Sequence, residues 1–110
     1  MIDNTKEYIL CAAIWFEDGK EYHYQPNNIK SGLVLCGHRH GYIFAQIGGL
    51  VKERQELGIY EKEQGFLTSK NRFVGREEAA EIALIQNQFK DDKEKAEVQI
   101  THYLYSENLY

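Results

Sequence analysis

Arginine side chains are concentrated around one polar loop of this chain. Arg72 and Arg76 lie within residues 64–88 (QGFLTSKNRFVGREEAAEIALIQNQ), Arg54 lies shortly before them, and Arg39 lies in the segment CGHRHG, whereas the lysines are scattered. A guanidinium group can bind phosphate through two parallel hydrogen bonds, which a lysine ammonium group cannot do. The loop adds aromatic and small polar side chains. This combination suits a pocket for an anionic, aromatic small molecule, and a nucleotide fits that description.

A second group of reactive residue types lies just before the helical part of the chain. Cys36, His38 and His40 alternate, so a continuous strand would place all three on one face, as a zinc site requires. Gly37 and Gly41 favour a break in that strand, and no second ligand pair with suitable spacing follows, so we expect no metal. Acid–base chemistry by His40 stays open, although no partner for it is evident.

The loop at residues 65–75 lacks the lysine and hydroxyl residue that close a phosphate-binding P-loop. Glu77 and Glu78 at the start of the following helix would repel a phosphate there, so Arg72, Arg39 and the loop amides are better phosphate ligands. A second interpretation of the loop, in which it binds no ligand, also stays open. In it, the two phenylalanines of the loop anchor it to the core while its small polar side chains make turn hydrogen bonds.

Composition sets the outer limits for the fold and the compartment. The chain has 110 residues, 43% of them hydrophobic, and a formal net charge of −4, which predicts one domain over residues 1–110. The acidic balance argues against binding of polymeric nucleic acid. No segment approaches the roughly 20 apolar residues that cross a bilayer, and the N-terminus has no basic leader, so we expect a cytoplasmic protein. Cys11 and Cys36 are expected to be buried and reduced, which disfavours a cysteine nucleophile.

The N-terminal half predicts an antiparallel sheet. Residues 7–16 form an apolar, β-prone run, and Asp18-Gly19 after it is typical of a type I′ hairpin turn. Residues 21–25 alternate and are expected to form the second arm of that hairpin. Residues 32–37 are a third apolar run, bounded by glycines, and are predicted to be another strand.

The C-terminal half predicts two main helices. The first covers residues 42–57 and contains the weakening pair Gly48-Gly49, and the second covers residues 76–89. Between them we expect a loop at residues 59–75 with short extended pieces. The remaining segments are a charged turn or helix extension at 91–97, an edge strand at 97–105 and a docked tail at 106–110. The predicted fold class is therefore α+β, a single small domain whose N-terminal antiparallel sheet packs with two main helices.

Three stretches of this sequence carry a resemblance to a known family. They are residues 8–44 (YILCAAIWFEDGKEYHYQPNNIKSGLVLCGHRHGYIF), residues 64–88 and residues 104–110 (LYSENLY). The chain resembles the first-described family of anti-Thoeris sponges, which are small phage-encoded proteins. The similarity consists of a strand-rich N-terminal half, a Gly-x-Arg-His piece, a Gln-Gly-Phe-x-Thr loop with Asn-Arg-Phe-Val, and a Leu-Tyr-Ser-Glu ending.

The resemblance implies a function without catalysis. Such sponges bind cyclic ADP-ribose isomers made by bacterial TIR-domain enzymes and do not degrade them, and some also bind cyclic oligonucleotides. Family members assemble as dimers or larger oligomers. No cofactor is implied. The positions that match the family motifs, and are therefore the expected ligand-binding residues, are Arg39, His40, Gln64, Phe66, Thr68, Asn71 and Arg72. Gly41 replaces the second histidine of the tandem pair usual in the family, so no role is expected from a second ring there.

These residues suggest a division of roles. We expect Arg39 and Arg72 to bind phosphates, Phe66 to stack on a base, and Asn71 and Thr68 to bind ribose hydroxyls.

Two other functions stay open. One is a phage protein that inhibits a host enzyme by contact through a tyrosine-rich surface, including Tyr105 and Tyr110. The other is a nucleotide-signal phosphodiesterase in which His38 or His40 acts on the ligand.

Overall fold

The computed structural model describes residues 6–47 and 60–110. Four strands and four helices lie within these ranges. In chain order they are β1 (Ile9–Glu17), β2 (Leu33–Gly37), helix α1 at residues 40–47, β3 (Tyr60–Thr68), β4 (Phe73–Gly75), α2 (Arg76–Gln86), α3 (Asp92–Thr101) and α4 (Ser106–Leu109).

The four strands form one antiparallel sheet in the order β2-β1-β3-β4. Strand β1 is central, with Ala13 opposite Cys36 of β2 and Gly65 of β3. The pairing of β1 with β3 shifts register between Ile9 and Cys11 and again near Phe16, which marks two bulges. An antiparallel sheet with several helices is the α+β class that the sequence predicts.

The helices cover one face of the sheet and create the core there. Side chains of β1 alternate between the two faces, and Ile14 and Phe16 point into this core together with Phe66 of β3. The helical layer contributes apolar residues to the same cluster: Ile43, Ala79, Ala80, Ile82, Ala83, Val98 and Leu104. All of these side chains are less than a tenth exposed.

A loop covers part of the opposite face, where the sequence predicted the second arm of a hairpin. Residues 18–32 contain no strand. Instead, the Asn28 side chain accepts a hydrogen bond from the Phe73 amide (2.8 Å) and donates one to the Phe73 carbonyl (2.7 Å). The indole of Trp15 donates to the Ser31 carbonyl (3.0 Å). The strand predicted at residues 21–25 is therefore wrong. These long-range contacts hold the loop at residues 18–32 across the sheet, where it does not pair as a strand.

At residues 59–75 the sequence predicts a loop with short extended pieces at Phe66-Leu67 and Phe73-Val74, and these pieces lie within the longer strands β3 and β4. The two strands form a hairpin whose turn places Asn71 in the left-handed region, with φ of 55°. The first half of β3 is exposed and charged, so it shows little strand alternation, and its pairing with β1 makes it a strand. Of the predicted helix at 42–57, residues 42–47 are helical, and the remainder lies outside the described residues.

The C-terminal elements are helical rather than extended. Helix α2 ends at Gln86, three residues before the predicted boundary, because Asn87 adopts a left-handed conformation. Helix α3 begins where the Asp91 side chain accepts a hydrogen bond from the Glu94 amide (2.9 Å), and it continues to Thr101. The edge strand predicted at residues 97–105 is therefore wrong. The predicted docking of residues 106–110 is confirmed, since Ser106 and Asn108 are buried.

None of the helices in the described ranges is long and apolar enough to cross a membrane.

Candidate functional site

The structure separates the predicted ligand-binding residues into two groups along β3. The Cα atoms of Gln64 and Thr68 are roughly 13 Å apart at the usual strand rise of about 3.4 Å per residue. One group, the Arg76 cluster, consists of Arg39, His40, Gln64, Arg76 and Tyr105. The other, the turn cluster, consists of Glu7, Thr68, Asn71, Arg72 and Glu78. Phe66 lies between the groups, on the core side of the strand.

In the turn cluster, Arg72 is already paired with two carboxylates. Its Nε and Nη2 atoms each donate to a different oxygen of Glu7 at 2.8 Å, and Nη2 also donates to Glu78 at 2.7 Å. The bidentate hydrogen bonds from Arg72 hold the pKa of the Glu7 carboxyl below its usual value. A phosphate at Arg72 would have to displace these carboxylates, so this arginine is poorly placed to bind an anion.

Thr68 and Asn71 stabilise the turn between β3 and β4. The Thr68 hydroxyl donates to Glu7 (2.6 Å) and accepts from the amides of Lys70 and Arg72 (3.2 and 3.3 Å). The amide of Asn71 donates to the Thr68 carbonyl (3.0 Å), and its side chain donates to Asn27 (3.3 Å). These are the turn hydrogen bonds expected if the loop has a structural role and binds no ligand. A ribose-binding role for either residue stays a prediction.

Phe66 is a core residue. Its side chain is fully buried, and its ring meets that of His40 edge to face, with the centroids 5.2 Å apart. A ring without exposed surface offers no face to a base. The stacking role predicted for Phe66 is therefore incompatible with this conformation, because the ring fills the space between the sheet and the helices.

His40 is also held inside the protein. Its Nε2 atom lies 2.7 Å from the Gly65 carbonyl oxygen, so this nitrogen carries the proton and donates it to that oxygen. Burial lowers the pKa of His40, although the Gly65 carbonyl acts in the opposite direction. The ring is consequently neutral near pH 7, and it positions the start of α1 against β3.

Arg76 joins three elements at the start of α2. It donates to the Leu104 carbonyl through Nη1 and to the Gln64 side chain through Nη2, both at 2.8 Å. Its guanidinium carbon lies 4.4 Å from the ring centroid of Tyr105, close enough for a cation–π interaction. Tyr105 is 47% exposed. Burial lowers the pKa of Arg76, but a guanidinium group stays charged in proteins.

Arg39 lies over a second tyrosine of the C-terminal segment. Its guanidinium carbon is 5.6 Å from the ring centroid of Tyr110, and Nη2 donates to the Tyr110 carbonyl. Nη1 lies 4.0 Å from a carboxylate oxygen of Glu107 and has no hydrogen-bond partner among the described residues. His38 stacks on the same Tyr110 ring at 4.2 Å. Arg39 thus carries one donor without a hydrogen bond; this atom is buried, although the side chain as a whole is 24% exposed.

An open groove of about 630 Å³ adjoins Arg76. Its lining includes Gln64, Tyr103 and four carboxylates, those of Glu63, Glu77, Glu78 and Glu81. Such a concentration of negative charge opposes a phosphate. This agrees with the sequence argument against a phosphate at the start of α2, and it leaves Arg39 as the better anion ligand.

Sequence reasoning missed two residues of the Arg76 cluster, Arg76 and Tyr105. In the sequence, the glutamates that follow Arg76 argue against a phosphate at that helix start, and Tyr105 is predicted only as an interface residue. The ending LYSENLY places two tyrosines next to a carboxylate, which was the available signal. In the part of the chain that the structure describes, no group of three or more His, Cys, Asp or Glu side chains could hold a metal ion.

Comparison with known families indicates that the protein is of phage origin. A family model described as Phage T4 y16D protein matches residues 8–110. The chain belongs to this phage family. The matched range includes every residue of the Arg76 cluster. The y16D description agrees with the phage origin implied by the resemblance, and it names no ligand. Neither a curated protein nor a solved structure matches the chain.

Proposed function

We propose that this y16D-family protein binds and sequesters a cyclic ADP-ribose-type immune signal, or a related cyclic nucleotide, without degrading it. One observation carries the proposal. Arg39 and Arg76 each lie over a tyrosine ring of the C-terminal segment, at 5.6 Å from Tyr110 and 4.4 Å from Tyr105. A nucleotide needs a planar cation for its phosphates and an aromatic face for its base, and these pairs supply both.

The two pairs take different parts of the ligand. Arg39 binds phosphate, because its Nη1 atom has no hydrogen-bond partner among the described residues. Since that atom is buried and the side chain is 24% exposed, binding requires the guanidinium group to turn towards the ligand. Tyr105 stacks on the base, because about half of its surface is exposed while Arg76 occupies part of its ring. Tyr105 therefore takes over the stacking role that the sequence assigned to Phe66.

Binding without turnover is supported by the state of His40. A general acid or base works best with a pKa near the operating pH and with its proton directed at the substrate. The Nε2–H group of His40 instead donates a hydrogen bond to the Gly65 carbonyl, and burial lowers the pKa of the ring. Capture in competition with a host effector requires nanomolar affinity, about −12 kcal/mol.

Tyr105 is 47% exposed, so the proposed site covers only part of a ligand of this size. A second copy of the chain would enclose the remainder, and a homo-oligomer is part of the proposal. The protein would act in the cytoplasm of the infected host, where the signal is produced.

The direct test is capture and release. The purified protein is incubated with cyclic ADP-ribose isomers and cyclic oligonucleotides, freed of unbound ligand, heated, and the released molecule is identified by mass spectrometry. We expect an intact cyclic ADP-ribose isomer. A converted product would identify an enzyme and direct attention to His38 and His40. Absence of captured ligand at micromolar protein would contradict the proposal.

A matched pair of arginine variants tests the location of the site. Arg39→Gln removes a charge-assisted hydrogen bond worth about 1.5–3 kcal/mol, so it should weaken binding by roughly 10- to 150-fold in calorimetry. Arg72→Gln should leave the dissociation constant unchanged, because Arg72 is engaged by Glu7 and Glu78. The reverse pattern would place the ligand at the turn cluster instead.

A contact-acting inhibitor remains a second candidate, favoured by exposed aromatic residues. Tyr42, Tyr103 and Tyr105 are 56%, 44% and 47% exposed. In that case no nucleotide would be captured, and replacing these tyrosines with alanine would abolish activity in infected cells while Arg39→Gln retained it.

A further inference from the structure

The two cysteines of the chain lie next to each other on the sheet. Ala13 of β1 is directly opposite Cys36 of β2, and Cys11 is two residues from Ala13 on the same strand. Because side chains alternate, Cys11 and Cys36 lie on the same face as diagonal neighbours. The two thiols are close enough for each to shift the pKa of the other. This face is the one opposite the helical core.

The pair is accessible from solution. Strand β2 lies at the edge of the sheet, and Cys36 on it is exposed, whereas Cys11 on the central strand is half-buried. The prediction that both thiols are buried is therefore wrong, because the apolar run around Cys36 forms an edge strand. A small reagent can approach Cys36 first and finds Cys11 within reach of it.

The proximity of the two thiols affects their ionisation in opposite directions. It lowers the pKa of Cys11 and raises that of Cys36, because one sulfur carries the negative charge while the other keeps the shared proton. Loss of the first proton from the pair is thus easier than from an isolated thiol. Thiolate is the reactive form in exchange with disulfides.

We propose that Cys11 and Cys36 form a thiol–disulfide exchange site that reacts with low-molecular-weight disulfides and closes into a reversible disulfide between β1 and β2. This proposal is independent of the nucleotide site. It rests on the diagonal register of the two cysteines on one face of the sheet and on the exposure of Cys36.

The reaction proceeds in two balanced steps. Cys11, the thiol with the lowered pKa, loses the first proton and then accepts the proton of Cys36. The Cys36 thiolate formed in this way attacks one sulfur of the small disulfide, forming a mixed disulfide and releasing one small thiol, which takes up the proton first lost from Cys11. The Cys11 thiolate then attacks the Cys36 sulfur, forming the protein disulfide and releasing a second small thiol, which takes up the proton from Cys11. Two protein thiols are oxidised, and the small disulfide is reduced to two thiols.

The geometry makes this disulfide easy to reduce. Diagonal neighbours across an antiparallel pair have Cα atoms about 7–8 Å apart, whereas disulfides usually span 4.4–6.8 Å. Closure therefore draws β2 towards β1, and β2 can follow because it has one neighbouring strand in the sheet. A bond formed with such an adjustment is more reducible than an unstrained structural disulfide.

The test uses glutathione disulfide as the probe. The reduced protein is incubated with it, quenched with acid and analysed by intact mass spectrometry without reductant. We expect the wild-type monomer to lose two hydrogens, to retain no glutathione, and to return to the dithiol form when excess reduced glutathione is added.

Two variants separate the roles of the thiols. Cys11→Ser should accumulate a glutathione adduct on Cys36, because no second thiol resolves it, and Cys36→Ser should react more slowly because Cys11 is half-buried. Circular dichroism confirms that each variant is folded, with Cys11→Ala as a replacement if the serine is not tolerated. Two glutathiones bound to the wild-type protein, a covalent dimer or unreacted thiols would each overturn the proposal.

Discussion

At the scale of single residues, Phe66 and His40 form the contact that joins helix α1 to the sheet. The two rings meet at 90°, and the His40 imidazole is anchored to the Gly65 carbonyl beside Phe66. Both side chains are less than a tenth exposed. This contact therefore packs the start of α1 against β3 beside the Arg76 cluster. Arg39 precedes His40 in the chain, and its guanidinium lies over Tyr110.

We expect Phe66→Ala to destabilise the protein by about 3–5 kcal/mol, because it removes a fully buried aromatic ring and leaves a cavity. Urea unfolding measures the loss. Leu10→Ala is the control, since Leu10 is 50% exposed, and it should change the free energy of unfolding by less than about 1 kcal/mol. If Phe66→Ala left the free energy of unfolding unchanged but abolished ligand binding, Phe66 would stack on the ligand as the sequence predicts.

The residue scale also shows where prediction of the site from sequence ends. Arg39 and Arg72 look alike in the sequence, as arginines within glycine-containing polar segments. Their difference arises from Glu7, which is 65 positions from Arg72 and neutralises it. A single sequence gives no means to pair Glu7 with Arg72, so it does not reveal that Arg72 is paired with carboxylates while Arg39 lies in a different cluster.

At the scale of the elements, Glu7 connects the start of β1 with the β3–β4 turn and, through Arg72, with α2. Hydrogen bonds from Arg72 and Thr68 lower the pKa of Glu7 from an ordinary value near 4.5. The native state therefore binds this proton less readily than the unfolded chain does. The stabilisation is fully present above about pH 4.5, and it is lost as the pH falls through the lower native pKa.

We expect the stability difference between the wild type and Glu7→Gln to be largest at pH 6 and to shrink steadily below pH 4.5. The measurement is the free energy of urea unfolding of both proteins across this range. In an Arg72→Gln background, most of the pH dependence of that difference should disappear, because Arg72 is the main cause of the shift. A difference that stays constant with pH would show that Glu7 does not act through its charge.

The elements that the sequence predicted well carry their own signals. Strand β1 is a long apolar run, β2 is bounded by glycines, and α2 begins with two glutamates in its first turn. Strand β3 and helix α3 carry weaker signals. The exposed, charged first half of β3 becomes a strand because β1 pairs with it, and α3 buries a single residue, Val98. Helix α3 starts at the Asp91 cap. It continues through residues whose alternating pattern predicts a strand.

At the scale of the whole molecule, the helices cover one face of the sheet and the loop between β1 and β2 covers part of the other. In the helical layer, Leu104 lies between α3 and α4; it is fully buried, and its amide and carbonyl groups are hydrogen-bonded to Arg76. The loop at residues 18–32 covers part of the other face and holds Trp15, the single tryptophan. Far-UV circular dichroism therefore reports mainly on the helical layer, and tryptophan fluorescence reports on the loop-covered face.

These two signals test whether both layers unfold as one unit. Leu104→Ala should destabilise the protein by about 2–5 kcal/mol, because it leaves a cavity in the core. Since β1 and β3 contribute side chains to both faces, the fluorescence and circular dichroism transitions should move together to lower urea concentration. Ile100→Ala, at a position 79% exposed, should leave both transitions near their wild-type midpoints. If Leu104→Ala shifts the helical signal and not the Trp15 signal, the loop-covered face is stable without the C-terminal segment, and the docking of residues 106–110 serves the Arg76 cluster rather than the fold.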